Sequence, residues 1–519
     1  MLQGFVVLSP CKAKESEIKF EIKLFTVTGN TIFTEESLKN ILADYTGKEK
    51  TSDDVEAARS ALEKKYHTEG YPTVVVNIPE QSVDSGDVQL DVIESKIRRI
   101  RVTGNRYFTM NKILDALPSL RPGVILYVPE VQKELAVLNR NPDLKAAPVL
   151  SPGKEVGTID VELKVKDRLP LHGSVEVNNR HTHDTSELRV NGVLRYDNLW
   201  QKDHSVSVQY QTSPQNTKEV QSVSASYVMP AFWNKNQMIA IYGLWSDSDT
   251  AFGEGFEVIG KGFIVGMRYI VPLPSLDSFY HNLSLGLDYK DFDENLGFVD
   301  DNGEAGNQKT PIGYAPLLAN YNASLKDTTG YTKLSAGVNF LLRGLTGDMH
   351  EFADKRYKSR GNYLFLTGGL ERNQRLPFGF GIDAKADGQI SNQPLISNEQ
   401  YIAGGMASVR GYMESEATGD NAAHGTVELF SNFSFMEQKA GGHLINITPY
   451  LFYDAAWLKT KNPLAGQDSG LTLKGTGGGI RMEISDYLSC EGVYAMALKD
   501  TDKTKSGDTT IYFFVKGKF

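Results

Sequence analysis

Cysteine is nearly absent from the chain. Only Cys11 and Cys490 occur among 519 residues, and their wide separation argues against a disulfide framework. Long apolar runs are missing as well: no stretch of eighteen consecutive apolar residues occurs, which excludes a helical membrane span. Positive charge is not in excess, since the net charge is -9, and this argues against nucleic acid as a partner. A membrane β-barrel stays possible, because its polar lumen lowers the mean hydropathy.

Catalytic and metal-binding motifs are also missing. His181, His183 and Asp184 lie close together in sequence, but no third ligand follows at useful spacing, so a turn between strands explains them better than a metal site. The glycines between Gly475 and Gly479 lie within a strand pattern with no helix after it, which does not fit a nucleotide loop. We therefore expect no enzyme, no cofactor and no metal.

A repeat occupies the first third of the chain. Residues 25–30 read Phe-Thr-Val-Thr-Gly-Asn, and residues 100–105 read Ile-Arg-Val-Thr-Gly-Asn, with apolar positions kept in step after each. Each copy reads as a strand, a Gly-Asn turn, two helices and two further strands. We predict an N-terminal segment at 1–19 and two α+β modules at 20–95 and 96–168. A small sheet leaves edges that an extended peptide can join.

The rest of the chain, residues 169–519, has a run of strand patterns. We count sixteen candidate strands, and roughly 22 residues per strand and connection are typical of an antiparallel transmembrane β-barrel. Some connections are short, such as 198–203. Others are long and polar, as at Asp291 to Pro311 and Arg343 to Arg360. This asymmetry is expected of short periplasmic turns and longer outer loops. A soluble β-sandwich is the alternative, and sixteen strands make it less attractive.

The last predicted strand has two different faces. Ile511, Phe513 and Val515 alternate with Tyr512 and Lys516, so one face can contact lipid and the other a wet lumen. Phe514 is an exception to this alternation. The chain ends on Phe519, which resembles the terminal aromatic signal of outer-membrane barrel proteins.

A glycine-rich stretch from Glu399 to Tyr412 lies between the eleventh and twelfth predicted strands. Its one cation, Arg410, stands in the run Val409-Arg410-Gly411-Tyr412, among small, neutral and aromatic residues. Such an arginine is costly to place unless it finds a carboxylate or water. The residues themselves leave two readings open, an ordinary solvated loop and an inward-facing arginine.

The modules and this loop carry a family resemblance. The modules resemble polypeptide-transport-associated (POTRA) domains, and residues 70–83 and 86–94 are similar to the first such module of two-partner secretion transporters. The Val-Arg-Gly-Tyr run resembles the sixth extracellular loop of the polypeptide-transporting barrel superfamily. Glu399 to Tyr401, Gly419-Asp420 and Glu428-Leu429 fit the same pattern. The resemblance covers residues 20–519.

The resemblance implies how the loop is held. In that superfamily the loop folds back into the lumen, and its arginine pairs with an aspartate of a Phe/Gly-x-Asp-x-Gly motif on strand thirteen. The implied inward fold lies near 399–424, and the implied pair joins Arg410 to Asp454 in the stretch that begins at Phe452. Ala456 replaces the last glycine of the motif. A planar guanidinium can bind a carboxylate through two hydrogen bonds, so this pair would act as a latch.

The implied function is two-partner secretion, of the TpsB or hemolysin activation and secretion type. The modules, in the periplasm, would capture an unfolded exoprotein, and the barrel would form the pore through the outer membrane. Outer-membrane lipid and the barrel assembly machinery are the other expected partners. An outer-membrane protein insertase is the first alternative, although insertases usually carry more than two modules. A passive porin is the second, and the modules and loop motif argue against it.

The first residues carry no recognisable leader. Met1 to Pro10 has a short apolar patch without a basic region or a small-residue cleavage site, so a secretory signal is missing and a truncated start is expected. About twenty residues precede the first module. We therefore expect no plug helix in the pore, or one removed from this sequence.

Overall fold

The computed structural model describes residues 18–183, 185–248, 260–276, 278–299, 305–342, 344–345, 350–431, 433–437 and 443–519. The chain forms two compact units that divide between Pro170 and Leu171. Cys11 and the predictions about a leader and a plug helix concern residues 1–17, which lie outside the described residues, as does Asp184. Among the described residues, no helix has the length and apolar character needed to cross a membrane.

The first unit contains two three-stranded sheets of the same topology and one two-stranded sheet, in which Phe20–Ile22 pairs with Gly47–Lys50. In each three-stranded sheet, the central strand pairs in parallel with the strand that comes first in that sheet and antiparallel with the other. The first copy comprises strands Phe20–Ile22, Leu24–Thr28, Gly47–Lys50, Val74–Asn77 and Asp87–Glu94, helices Glu35–Leu42 and Ser52–Thr68, and the 3-10 turn Ala43–Tyr45. The second comprises strands Lys96–Thr103, Leu144–Pro152 and Thr158–Asp167, and helices Met110–Asp115 and Val128–Leu138.

The two copies begin their first helices in the same way. The Thr34 hydroxyl accepts a hydrogen bond from the Ser37 N–H at 3.3 Å, and the Thr109 hydroxyl accepts one from the Lys112 N–H at 3.3 Å. Each copy also has its own apolar core, in which Tyr66 and Leu117 are fully buried. The sequence repeat therefore corresponds to two modules within the first unit, each with its own core.

Glycine in the Gly-Asn turns of both copies has a steric explanation. Gly29 and Gly104 have φ angles of +76° and +84°, in the left-handed region that favours glycine. A Cβ atom on Gly29 would lie 2.1 Å from the Val92 carbonyl oxygen, and one on Gly104 would lie 2.3 Å from the Val165 oxygen. Both the backbone conformation and the adjacent strand therefore exclude a side chain.

Replacing Gly104 by alanine is expected to destabilise the second module by roughly 1–3 kcal/mol, because it combines left-handed strain with a clash against backbone. Hydrogen exchange of the Thr158–Asp167 strand in the full chain measures this as lost protection. Gly123→Ala is the matched control, since Gly123 has a φ of +87° and nothing within 4 Å of an added Cβ. Equal protection in the two variants would contradict the steric explanation.

The second unit is a closed antiparallel barrel of sixteen strands, which confirms the predicted fold class. Two strands are interrupted, so the eighth and the twelfth each consist of two segments that pair with one neighbour. The strands are Leu171–Asn178, Arg189–Leu199, His204–Thr212, Gln221–Ala231, Asn234–Ser248, Gly260–Pro272, Phe279–Val299, Ala305–Tyr314 with Leu317–Lys326, Gly330–Phe340, Leu364–Arg375, Phe380–Ser391, Asn421–Ser431 with Phe433–Glu437, His443–Lys459, Gly470–Ile484, Leu488–Ala497 and Thr509–Lys518.

The two ends of the barrel differ as expected. At one end the strands are joined by short turns such as 200–203, 232–233 and 485–487. At the other end the connections 341–363 and 392–420 are long. The short-turn end also carries the start of the first strand and the end of the last.

The barrel wall has an apolar outer face. In the last strand Ile511, Phe513 and Val515 are exposed, whereas Tyr512 is buried. Phe514, the exception to the alternation, makes a cation–π contact with Arg180. The central carbon of the Arg180 guanidinium is 5.7 Å from the centroid of the Phe514 ring. An exposed apolar face alternating with buried polar groups is the arrangement of a barrel surrounded by lipid.

One predicted loop is wrong, and a second contains a helix that was not predicted. Residues 291–299 and 305–313 form a paired hairpin instead of the predicted polar loop at Asp291 to Pro311; residues 300–304 lie outside the description. This hairpin was missed because its sequence is rich in Asp, Asn and Gly, which are uncommon in strands. The connection Arg343 to Arg360 contains a short helix, His350–Lys355.

Candidate functional site

The long connection between strands eleven and twelve folds into a hairpin. Short strands Tyr401–Ala403 and Ala417–Gly419 pair with each other and bring residues 404–416 to its tip. Val409, Arg410 and Tyr412 at this tip are at most 3% exposed. A solvated loop would leave its arginine in water, so the burial rules out that reading of the sequence.

Arg410 lies against Asp454 of strand thirteen. The Arg410 Nε donates to Asp454 Oδ2 at 2.7 Å, and Nη2 donates to Oδ1 at 2.7 Å, which makes the pair bidentate. The Arg410 backbone N–H donates to Oδ2 as well, at 3.0 Å. Asp454 is fully buried, so both its oxygens are satisfied within the protein. In low dielectric this arrangement is strong only while both partners are present.

A chain of charges continues from this pair along the wall. Arg410 Nη1 also donates to Glu428 on strand twelve, and the Arg481 Nη2 on strand fourteen donates to Glu428 Oε2 at 2.8 Å. The Arg481 Nε donates in turn to Glu491 Oε1 on strand fifteen, at 2.9 Å. Each arginine is therefore shared between two carboxylates, and the network spans four adjacent strands.

Aromatic rings cover the two guanidinium groups. The central carbon of Arg410 lies 3.5 Å from the centroid of the Phe452 ring, and that of Arg481 lies 3.9 Å from the Tyr450 centroid. Phe452 and Tyr450 face the same side of strand thirteen as Asp454. Stacking on a ring orients a planar guanidinium and adds to its attraction.

The two residues after Arg410 attach the loop tip to the closing strands. Tyr512 on the last strand donates its hydroxyl to the Tyr412 carbonyl and accepts a hydrogen bond from the Gly411 N–H at 3.0 Å. The Tyr412 hydroxyl oxygen lies within hydrogen-bond distance of two carbonyl oxygens, those of Lys499 at 2.9 Å and Lys474 at 3.1 Å, and can donate its one proton to either. The four residues Val409 to Tyr412 thus contact strands thirteen to sixteen or their connections.

Glycine makes this close approach possible from both sides. A Cβ on Gly411, whose φ is +100°, would lie 2.7 Å from the Ala497 nitrogen. One on Gly475, in strand fourteen, would lie 1.8 Å from the Arg410 carbonyl oxygen. On the same strand, side chains on Gly477 and Gly479 would meet Phe452 and Tyr450. The sequence shows that these glycines lie in a strand. Only the structure shows that their missing side chains leave room for the loop backbone and for the rings of Phe452 and Tyr450.

Further contacts tie the loop to other connections. Glu416 bonds to His183 at 2.5 Å, and the Glu414 N–H donates to the His181 carbonyl at 3.1 Å. Arg356, in the connection 341–363, binds buried Asp420 through two hydrogen bonds of 2.5 and 2.7 Å. The two histidines therefore have partners within the loop region.

Ala456 and Phe519 are the two remaining positions that the sequence analysis singled out. Ala456, where the motif expects glycine, is buried in an apolar cluster with Val409 and Tyr412, so the extra methyl is accommodated. Phe519 is exposed and follows the last strand. Its backbone N–H donates to the Gly173 carbonyl at 3.0 Å, which places the end of the chain on the first strand.

Two family models match the chain. The POTRA domain model of ShlB type covers residues 20–95. The model of the haemolysin secretion/activation protein ShlB/FhaC/HecB covers residues 157–258 and 319–482. The chain belongs to this haemolysin secretion/activation family.

Curated relatives agree with this assignment. The outer membrane transporter CdiB of Dickeya dadantii is 26% identical over 423 residues, covering 73% of this chain and 68% of the relative. The heme/hemopexin transporter protein HuxB of Haemophilus influenzae is 21% identical over 423 residues, covering 79% and 72%. The family places the chain in the bacterial outer membrane, where its members transport a secreted partner exoprotein by two-partner secretion.

Solved structures show the same fold. CdiB from Escherichia coli superposes with a TM-score of 0.62 at 19% identity, covering 99% of this chain and 93% of that one. BamA from Haemophilus ducreyi, lacking POTRA domains 1-3, gives 0.60 at 16% identity, covering 96% and 100%. These structures agree with the family assignment, which makes the chain an outer-membrane transporter with periplasmic POTRA-like modules and a sixteen-stranded barrel as its pore.

Proposed function

We propose that the modules capture an unfolded exoprotein by strand addition, and that the pair of Arg410 and Asp454, here called the latch, holds the loop that governs its passage. The observation that carries the second part is the buried bidentate contact, with Nε and Nη2 each 2.7 Å from a carboxylate oxygen. In this proposal the first module comprises residues 20–95 and the second comprises residues 96–168. No catalytic step, cofactor or metal is part of it.

The edge strand Leu144–Pro152 supports capture by strand addition. It pairs on one side with Thr158–Asp167 and forms the edge of its three-stranded sheet. Nine residues long, it also exposes Val149 and Leu150 at 41% each. An extended peptide can pair with such an edge through main-chain hydrogen bonds, which bind without demanding a particular sequence.

The latch supports a loop that is held yet able to move. The loop tip is connected to the wall by hydrogen bonds and ion pairs and by stacking, without a covalent link. Ion pairs and hydrogen bonds of this kind are either formed or broken. A loop held by them can therefore switch between a docked and an undocked position more readily than a loop held by an extended apolar contact. Folding of the exoprotein outside the cell supplies the bias for export in this proposal, since the proposed cycle uses no nucleotide.

Two assembly roles complete the proposal. Phe519 serves as the terminal aromatic signal through which the barrel assembly machinery inserts the chain. The apolar outer face, which includes Ile511 and Leu451 at 66% and 65% exposure, contacts outer-membrane lipid.

A photo-reactive amino acid placed at Val149 tests capture. We expect ultraviolet light to cross-link the Val149 variant to an unfolded exported chain during secretion, because that residue lies on the edge strand. The matched control places the same group at Val137, which is 62% exposed but lies on a helix. Equal cross-linking at both positions contradicts strand addition. Cross-links at Val149 to barrel precursors in place of the exoprotein would favour the insertase alternative.

A further inference from the structure

A cavity lies at the long-connection end of the barrel. Its volume is 690 Å³, and its walls come from the ends of strands twelve and thirteen and from the connections 341–363, 392–420 and 460–469. Asn421 and Lys459 line it from the strand ends, and Asn392 lines it from the start of the connection 392–420. The hydrogen bonds between Arg410 and Asp454 involve none of these residues, so the cavity is distinct from the latch itself.

The cavity opens on the outer face of the wall. Along strand thirteen, Asp454 and Leu458 are buried inside, whereas Trp457 is 47% exposed. Lys459 has the same parity as Trp457, so its side chain projects to the outer face. On strand twelve Asn421 shares its parity with Val427, which is 52% exposed. The cavity therefore stands directly above the apolar band that contacts lipid.

Positive charge is concentrated in this cavity. Four cations line it, and the lining includes no aspartate or glutamate: Lys358, Arg360, Lys459 and Lys461. No ion pair joins any of these four to a carboxylate within the described parts of the chain. Asp420, which accepts the Lys461 N–H, is neutralised by Arg356, and Asp468 lies in the connection 460–469 but does not line the cavity. In a chain of net charge -9, this concentration is notable.

We propose that this cavity binds the phosphorylated head group of an outer-leaflet lipid. The acyl chains of such a lipid would lie along Trp457 and Ile390, and its phosphate would enter among the cations above them. A guanidinium binds phosphate in a bidentate manner, lysines supply further charge, and the asparagine amides donate hydrogen bonds. Apolar surface below and positive charge above match the two parts of the ligand.

Binding of fluorescent lipid A to the full chain in detergent tests the proposal. The double variant Lys459→Gln/Lys461→Gln is expected to raise the Kd roughly tenfold or more, since each cation near such a head group contributes about fivefold. The matched control is Lys202→Gln/Lys235→Gln, which removes the same charge from exposed residues at the short-turn end. Heat-modifiable migration in gels confirms that both barrels are folded.

Three outcomes would overturn the proposal. The Kd of the double variant could equal that of the control variant, the unmodified chain could bind dephosphorylated lipid A as tightly as lipid A, or inorganic phosphate could bind the cavity as tightly as lipid A does. The last result would assign the cavity to free phosphate. Should the double variant fail to fold, Lys461→Gln alone and the comparison of the two lipids decide the matter.

Discussion

Replacing Arg410 by alanine is expected to reduce secretion of the exoprotein roughly tenfold or more, while the barrel still assembles. The change leaves Asp454 and Glu428 buried without their shared cation, which destabilises the docked loop by about 3–5 kcal/mol. The loop then remains in the pore without a defined position. The barrel strands themselves keep their backbone hydrogen bonds and their apolar outer face, so assembly is preserved.

The ratio of secreted to cell-bound exoprotein measures the effect of Arg410→Ala on secretion. Ion conductance of the protein in liposomes measures the change in the pore. Arg268→Ala is the matched control, because Arg268 also forms a bidentate pair with a buried carboxylate, Asp288, and lies over the Tyr242 ring, but it joins two wall strands and no loop. Asp454→Ala is expected to match Arg410→Ala. Normal secretion in both latch variants would refute the latch, and equal loss in Arg268→Ala would reduce it to a general effect of stability.

Replacing Gly475 by alanine is expected to undock the same loop without touching a charge. The new Cβ would lie 1.8 Å from the Arg410 carbonyl oxygen, and this is backbone that cannot rotate away. Overpacking of this kind costs about 1–3 kcal/mol in a wall that cannot yield, so the loop is the part that moves. Secretion should fall in the same direction as in Arg410→Ala.

Trypsin provides a direct readout of this second prediction. Arg410 is 3% exposed in the docked loop, so the bond after it is protected, and undocking exposes it. We expect cleavage after Arg410 to increase roughly tenfold or more in Gly475→Ala. Gly492→Ala, on the neighbouring strand, is the control, because an added Cβ there meets nothing within 4 Å. Unchanged protection in Gly475→Ala would show that the wall adapts and the loop stays.

The fold was largely predictable from sequence, for a physical reason. Lipid imposes a period-two pattern on every strand it contacts, and turns impose glycine and polar residues between them, so sixteen strands could be counted. Residues 291–299 and 305–313 are also paired strands, but their Asp, Asn and Gly content is atypical of strands, so this pairing was not predicted.

The site was predictable only in part. The contact of Arg410 with Asp454 followed from a motif resemblance, because no local rule connects residues 44 positions apart. Arg481 and Glu491 were not predicted, since the contacts of Arg481 with Glu428 and with Glu491 depend on the register of four strands. Gly475 was predicted to lie in a strand. The reason for glycine at this position could not be predicted, because it depends on the loop that docks against it.

The shared arginines have an electrical consequence for the pore. The wall network contains three carboxylates, those of Asp454, Glu428 and Glu491, and two guanidinium groups, one of which arrives with the loop. When the loop departs, it removes Arg410 and leaves three negative groups facing one positive group. The vacated passage is then more attractive to potassium than to chloride, and a basic segment of cargo would enter it more readily than an acidic one.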